Sequence, residues 1–230
     1  MLYKITVINM VNILLEGYNI SEPWLYEELK NYIKPYMKVA VLALAFRDNK
    51  VKSNSDWLDL YGRSAGKYYS GIVGGFTAYG VDEDNITFIN YFTDTKDTAA
   101  QKIKSADIVY FLGGLPDRMM DRIKELNLYD ILLNHSGIIM GYSAGALIQL
   151  SEYHITPDDD YKEFNYYEGI PYISDFFLEI HFENSREQYF SIKRLQKEKD
   201  KPIFATRLGR GAIVVDGDEI KTLGDVKFFG

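Results

Sequence analysis

Short, continuous apolar runs alternate along the chain with longer stretches in which apolar and polar residues follow a helical period. The apolar runs are Val11–Leu15, Val39–Phe46, Ile86–Ile89, Ile108–Leu112 and Ile138–Met140. Runs of this length without alternation are typical of strands that are buried on both faces of a parallel sheet.

Between these runs lie four predicted helices. They cover Glu22–Ile33, Ser55–Gly71, Thr95–Lys104 and Asp117–Leu126. Strands that alternate with helices in this way predict an α/β fold, with a doubly wound, mostly parallel, flavodoxin-like sheet and helices on both faces.

The two ends of the chain differ from this pattern. Ala212–Val215 and Glu219–Thr222 flank Asp216-Gly217-Asp218, which predicts a small antiparallel C-terminal hairpin. Residues 1–9 precede the first predicted strand, so we expect either an N-terminal extension or a start at Met10 instead of Met1. No linker interrupts the sequence, and we interpret residues 1–230 as one domain.

Composition narrows the classes of function. The 230 residues include no Cys, which excludes disulfide scaffolds, thiolate metal sites and Cys nucleophiles. The formal charge is −7 and no basic run occurs, so we expect no nucleic-acid partner. Asn9, Asn12 and Glu16 interrupt the N-terminal apolar stretch, so we expect neither a membrane span nor an export signal, and a cytoplasmic location.

The stretch Gly137–Leu147, GIIMGYSAGAL, carries the strongest chemical signal. It holds a G-x-S-x-G centred on Ser143, after an apolar strand and before a helix-prone segment. That context is the one a nucleophile elbow requires, because the sharp turn exposes the Ser hydroxyl at a helix N-terminus. The alternative is that small residues only pack a strand against a helix.

A serine nucleophile needs a base, and the chain has three candidates: His135, His154 and His181. His181 ends the strand-like run FFLEIHF, at the edge where an open α/β sheet keeps its site, so it is preferred. His135 is expected to be a surface or capping residue, and His154 follows the elbow closely enough to reach it. The acids Asp158, Asp159 and Asp160 follow the elbow and are candidates to orient the base, or else a solvated loop.

A second stretch of small residues, Phe111–Pro116 (FLGGLP), also follows an apolar strand. Gly113 and Gly114 allow the backbone to approach a ligand closely. The stretch is interpreted either as a tight turn or as the second half of an oxyanion hole that complements the Ala144 N–H.

Together, FLGG at 111–114, GYSAGA at 141–146 and His181-Phe182 resemble the peptidase E family of serine peptidases, which includes aspartyl dipeptidases and cyanophycinases. The resemblance implies a class I glutamine-amidotransferase-like fold. It also implies Ser143 as nucleophile, His181 as base, Asp158 as the acid of a Ser-His-Asp triad, and Gly114 and Ala144 as oxyanion donors.

The resemblance also bears on the substrate. Ser185-Arg186-Glu187-Gln188 is similar to a T-R-E-Q stretch of the aspartyl dipeptidases in that family, whose Arg pairs with the aspartyl carboxylate of the substrate. By this resemblance Arg186 and Gly113 would contact substrate. The same residues also suit the capped start of a helix over Arg186–Lys197.

We therefore expect a serine exopeptidase of small peptides, with Asp-X dipeptides as candidate substrates, that needs no metal or cofactor and is a monomer or homodimer. An α/β-hydrolase-type esterase is an alternative, because it too runs Ser, Asp, His along the chain. A catalytically silent binding protein is another, because Leu115-Pro116 stands where the family has Asn-Thr.

Overall fold

An eight-stranded mixed sheet organises the computed structural model, which describes residues 10–63 and 65–230. Five parallel strands form one side of it: β1 (Val11–Leu15), β2 (Val39–Leu42), β3 (Ile86–Ile89), β4 (Ile108–Phe111) and β5 (Ile138–Tyr142). Their order across the sheet is β3-β2-β4-β5-β1. The elbow strand β5 thus lies beside β1, although 122 residues separate Leu15 from Ile138 in sequence.

The sheet continues beyond β1 with the C-terminal strands. They are β8 (Phe177–Phe182), β9 (Ile203–Asp216) and β10 (Glu219–Phe229). The second half of β9 pairs antiparallel with β1, its first half pairs parallel with β8, and β10 pairs along both halves. A separate two-stranded sheet, β6 (Glu152–Ile155) with β7 (Asn165–Glu168), follows the elbow.

Helices cover both faces of the sheet. One face packs against α1 (Pro23–Leu29), α2 (Asn54–Tyr61) and α3 (Tyr69–Thr77). The other packs against α4 (Lys96–Lys104), α5 (Pro116–Glu125), α6 (Tyr129–Leu133) and α7 (Ala144–Leu147). The last helix, α8 (Arg186–Glu198), packs on β8 and β9.

The parallel strands contribute side chains to the hydrophobic cores on both faces of the sheet, which explains their continuous apolar runs. In β4, Tyr110 belongs to the core under α1–α3, whereas Val109 and Phe111 belong to the core under α4–α7. Successive side chains of a strand point to opposite faces, so a strand buried on both sides has no polar positions. The predicted doubly wound α/β fold is confirmed.

Two elements differ from their predicted form. The single helix predicted over Ser55–Gly71 is two helices, α2 and α3, with Gly62 and Gly66 in the turn between them. The C-terminal hairpin is longer than predicted and belongs to the main sheet, because β9 pairs with β1. The predicted N-terminal extension, residues 1–9, lies outside the described residues.

A buried arginine fixes the segment that follows β2. The Arg122 side chain is 4% exposed, and its guanidinium lies 3.6 Å from the centre of the Phe46 ring. It donates to the carbonyl oxygens of Leu44 and Phe46 and pairs with Asp48. This contact holds the 44–48 segment against α5.

Replacing Arg122 by Met is expected to lower the free energy of unfolding by about 2–4 kcal/mol, because two buried carbonyl groups lose their donor. Arg118→Met is the matched control, since Arg118 is half-exposed and its ion pairs contribute about 0–1 kcal/mol. Urea unfolding of the three proteins measures the difference. Equal losses for both variants would contradict the structural role of Arg122.

Within residues 10–63 and 65–230, no helix combines the length and the apolar character needed to cross a membrane.

Candidate active site

The turn from β5 into α7 has the geometry of a nucleophile elbow. Ser143 has φ 53° and ψ −116°, a backbone conformation that non-glycine residues rarely adopt. Its N–H donates to the Leu15 carbonyl at 3.0 Å, which anchors the turn to the end of β1. Its carbonyl accepts from the N–H groups of Ala146 and Leu147 and so starts the helix.

Small residues and one buried amide hold this turn in place. A Cβ on Gly145 would lie 2.2 Å from the Phe111 carbonyl oxygen, so only glycine allows α7 to approach β4 this closely. Gln149 is fully buried; it donates to the Gly145 carbonyl at 2.9 Å and accepts from Asn12 at 3.1 Å. Asn12 and Gln149 thus tie the elbow helix to β1.

The structure brings Ser143 and His181 together. Ser143 Oγ lies 2.9 Å from Nε2 of His181, within hydrogen-bond reach. His181 lies near the end of β8 with φ 53°, and Gln188 donates to its carbonyl at 2.8 Å. Two strained backbone positions therefore face each other across one hydrogen bond.

The carboxylate that contacts this histidine is Glu16, the residue directly after β1. Oε1 of Glu16 is in direct contact with Nδ1 of His181, close enough for an ion pair. The His181 backbone N–H donates to both carboxylate oxygens, at 3.1 and 3.2 Å. Thr206 donates its hydroxyl to Oε2 at 2.8 Å, and the Glu16 side chain is only 2% exposed.

This environment alters the basicity of His181. Burial lowers the pKa of the imidazole, but the hydrogen bond and negative charge of Glu16 raise it, and the net result is a pKa above the ordinary 6.5. Glu16 therefore stabilises the protonated form of His181, which is the form that would result if His181 took the proton of Ser143.

Asp158 lines the same cleft as Ser143 and His181 but has other hydrogen-bond partners. Its Oδ1 accepts from the N–H groups of Asp160 and Tyr161, both at 2.8 Å, which closes a turn. Asp160 pairs with Arg47 across the mouth of the cleft, and Asp159 is exposed. Where the family resemblance implied Asp158 beside the histidine, the structure places Glu16 there.

Two residues with free backbone N–H groups lie in the wall of the cleft with Ser143. Gly114 and Ala144 line a cavity of about 270 Å³ with Ser143 and His181. Neither N–H donates to any residue in the described part of the chain, so both are free for a ligand. A Cβ on Gly114 would lie 2.2 Å from the Ala45 carbonyl oxygen, and its φ of 138° also requires glycine.

Gly113 has a different environment. A Cβ there would lie 2.4 Å from the Tyr142 ring and 3.2 Å from Ser143 Cβ, so Gly113 permits the close approach of these side chains. Leu115 and Pro116, where the family has Asn-Thr, begin α5, and Pro is favourable in the first helical turn.

The remaining candidates lie away from the serine. Arg186 is exposed, with its guanidinium 5.2 Å from the Phe190 ring centre, and it is not among the described residues that line the Ser143 cleft. His135 precedes β5, at the end of that strand opposite Ser143. His154 is buried and bonds to Glu179 at 2.7 Å. Among residues 10–63 and 65–230, no three His, Asp or Glu side chains are placed to hold a metal ion.

Comparison with known proteins identifies the family. The model of peptidase family S51 matches residues 63–223, well over half of the chain. The chain belongs to peptidase family S51. The S51 match confirms the resemblance to peptidase E proteins and makes the chain a member of a peptidase family. A search of curated proteins gives no match.

Solved structures share the fold of this S51 chain. A candidate peptidase E protein from Listeria monocytogenes EGD-e aligns with a TM-score of 0.66 and 17% identity, over 94% of this chain and 99% of that one. A peptidase from an acI-B1 Actinobacterium aligns with the same score and identity, over 96% and 94%. At 17% identity, these two comparisons show a shared fold alone.

Sequence reasoning missed Glu16 and Gln149. Glu16 directly follows the first apolar strand, at the sheet edge where the elbow also ends, and this position was the available signal. No sequence signal pointed to Gln149, because only the packing of α7 on β1 shows that this side chain is buried.

Proposed function

We propose that this S51 member is a serine peptidase that hydrolyses small peptides through Ser143, His181 and Glu16. The observation that carries the proposal is that His181 contacts Ser143 through one ring nitrogen and Glu16 through the other. Ser143 Oγ faces Nε2 of His181, and Nδ1 of the same ring contacts the buried Glu16 carboxylate. A nucleophile, a base and an orienting carboxylate in this order are the parts of a serine-hydrolase triad.

The proposed reaction has two halves. His181 removes the proton of Ser143 as the hydroxyl oxygen attacks the scissile carbonyl, and the resulting imidazolium is stabilised by Glu16. His181 then gives that proton to the leaving amine as the C–N bond breaks. A water molecule, deprotonated by the same imidazole, then attacks the acyl-serine. The bond between the acyl carbon and Ser143 Oγ breaks, the imidazolium returns its proton to Oγ, and the acid leaves.

The carbonyl oxygen gains negative charge during both attacks. The free N–H groups of Gly114 and Ala144 are the proposed donors to this oxyanion. Preorganised donors of this kind are worth about 3–4 kcal/mol each in serine peptidases.

A preference for Asp-X dipeptides gains no support from Arg186, whose guanidinium lies over Phe190. Of the described residues that line the Ser143 cleft, only Arg47 is a Lys or Arg, and its guanidinium is paired with Asp160. We therefore propose peptide hydrolysis without an acidic preference.

A fluorophosphonate probe tests the proposal directly. We expect one probe molecule per chain on Ser143, detected by intact mass and peptide mapping, because a phosphonylating agent needs an activated serine. His181→Ala should slow labelling by at least about a hundredfold, since general-base catalysis contributes about 10²–10⁴. Ser151, just beyond α7, is the internal control and should stay unlabelled. Labelling at equal rates in wild type and His181→Ala would refute the proposed activation.

A further inference from the structure

A second cavity, of about 380 Å³, opens beside the Ser143 cleft. The two spaces share a border formed by Leu147, Ile155, Asp158, Ile180 and His181. Its size is that of a pocket that takes a small ligand or one large side chain. We propose that this cavity binds the positively charged side chain of a lysine or arginine next to the scissile bond. The proposal rests on the peptidase function proposed above and names its substrate class.

The walls suit a long basic side chain. The border with the Ser143 cleft includes three apolar side chains, Leu147, Ile155 and Ile180. Three glutamates, Glu179, Glu183 and Glu187, line the cavity outside that border. Lysine and arginine bury an aliphatic stem along apolar surface and place a charged end among polar groups, so a cavity lined by both kinds of residue suits them.

A buried carboxylate in the cavity wall has no Lys or Arg partner. Glu179 lines the cavity and its side chain is 3% exposed. Its Oε2 lies 2.7 Å from Nε2 of His154 and accepts from the Thr156 hydroxyl at 2.8 Å. No described Lys or Arg pairs with this carboxylate, so a bound ammonium or guanidinium group would supply the cation that it lacks.

Positive charge is scarce around the cavity. None of the described residues that line it is Lys or Arg, whereas four are Asp or Glu. The N-terminus of α8 borders the cavity, but its capping box already occupies the N–H groups of Ser185 and Gln188. Glu187 in the first turn also offsets the positive end of the helix dipole. The potential in the cavity therefore favours a cation.

Binding to Ser143→Ala protein separates this inference from catalysis. The probes are Lys-Ala and Ala-Lys, each compared by calorimetry with the peptide in which norleucine replaces lysine. Norleucine keeps the aliphatic stem and removes the charge. We expect lysine to lower Kd by about five- to tenfold in at least one position, and the ratio to shrink at 0.5 M NaCl.

Glu183→Gln/Glu187→Gln, made in the same background, should bring the lysine-to-norleucine ratio close to one. The matched control is Asp218→Asn/Glu219→Gln, which makes the same charge change in the exposed β9–β10 turn at the opposite end of the sheet. The control should keep the full ratio. Equal affinity for lysine and norleucine in both positions, or tighter binding of Asp-Ala, would overturn the inference.

Hydrolysis by the wild-type chain separates the two proposals. Ser143-dependent cleavage without a preference for the lysine peptides would overturn the basic pocket and keep the peptidase. Selective binding of lysine peptides without cleavage of any peptide would keep the pocket and overturn the peptidase.

Discussion

Ser143→Ala is expected to abolish peptide hydrolysis, with kcat lower by about a millionfold, the loss seen when a serine-hydrolase nucleophile is removed. The Ser143 hydroxyl is the group positioned to form the acyl intermediate, 2.9 Å from Nε2 of His181. A dipeptide library with amine detection measures the rate. The variant should fold normally, because alanine loses only the hydroxyl group at this strained position.

The control for this variant is Ser105→Ala, which removes an exposed hydroxyl at the end of α4. It should hydrolyse peptides at the wild-type rate. Turnover by Ser143→Ala within tenfold of wild type would mean that another group performs the attack, and the proposed mechanism would be discarded.

The predictable part of this site is the part encoded in local sequence. The elbow could be predicted because G-x-S-x-G lies between a buried strand and a helix, and the close packing of Gly145 on Phe111 requires that pattern. His181 was predictable from its place at the end of an apolar strand. Both signals depend on neighbours within a few residues.

The partner of His181 could not be found in the same way. Glu16 lies 165 residues from His181 in sequence and reaches it only because β9 pairs with both β1 and β8. The local pattern predicted only a small C-terminal hairpin. It did not predict that one strand of this hairpin, β9, pairs with both β1 and β8. Long-range strand order, which local patterns do not encode, therefore determined which carboxylate meets the histidine.

The prediction of one helix over residues 55–71 was wrong for a different reason. The amphipathic pattern over 55–71 is continuous, but Gly62 adopts an extended backbone and ends α2, and its N–H bonds to the Leu58 carbonyl at 2.8 Å. Glycine in a helical pattern is tolerated or terminates the helix according to tertiary packing. The pattern alone therefore did not distinguish one helix from two.

Glu16→Gln is expected to lower kcat by about ten-thousandfold, the loss seen when the triad carboxylate of a serine peptidase becomes an amide. Glutamine preserves the size of the side chain but cannot stabilise the imidazolium of His181. Asp158→Asn is the matched control, because Asp158 is exposed and bonds to the 160–161 turn. It should change kcat by less than about fivefold, the range of one exposed charge interaction.

The pH profile distinguishes catalysis from a structural defect. His181 acts as a base only when neutral, so the wild-type kcat/KM should rise with pH through a midpoint above 6.5, in line with the raised pKa. In Glu16→Gln the negative charge is lost while burial remains, so the midpoint of the residual activity should move to lower pH. In Asp158→Asn it should stay near the wild-type value. If Asp158→Asn instead shows the large loss and the shifted midpoint, Asp158 orients the histidine during the reaction and Glu16 does not.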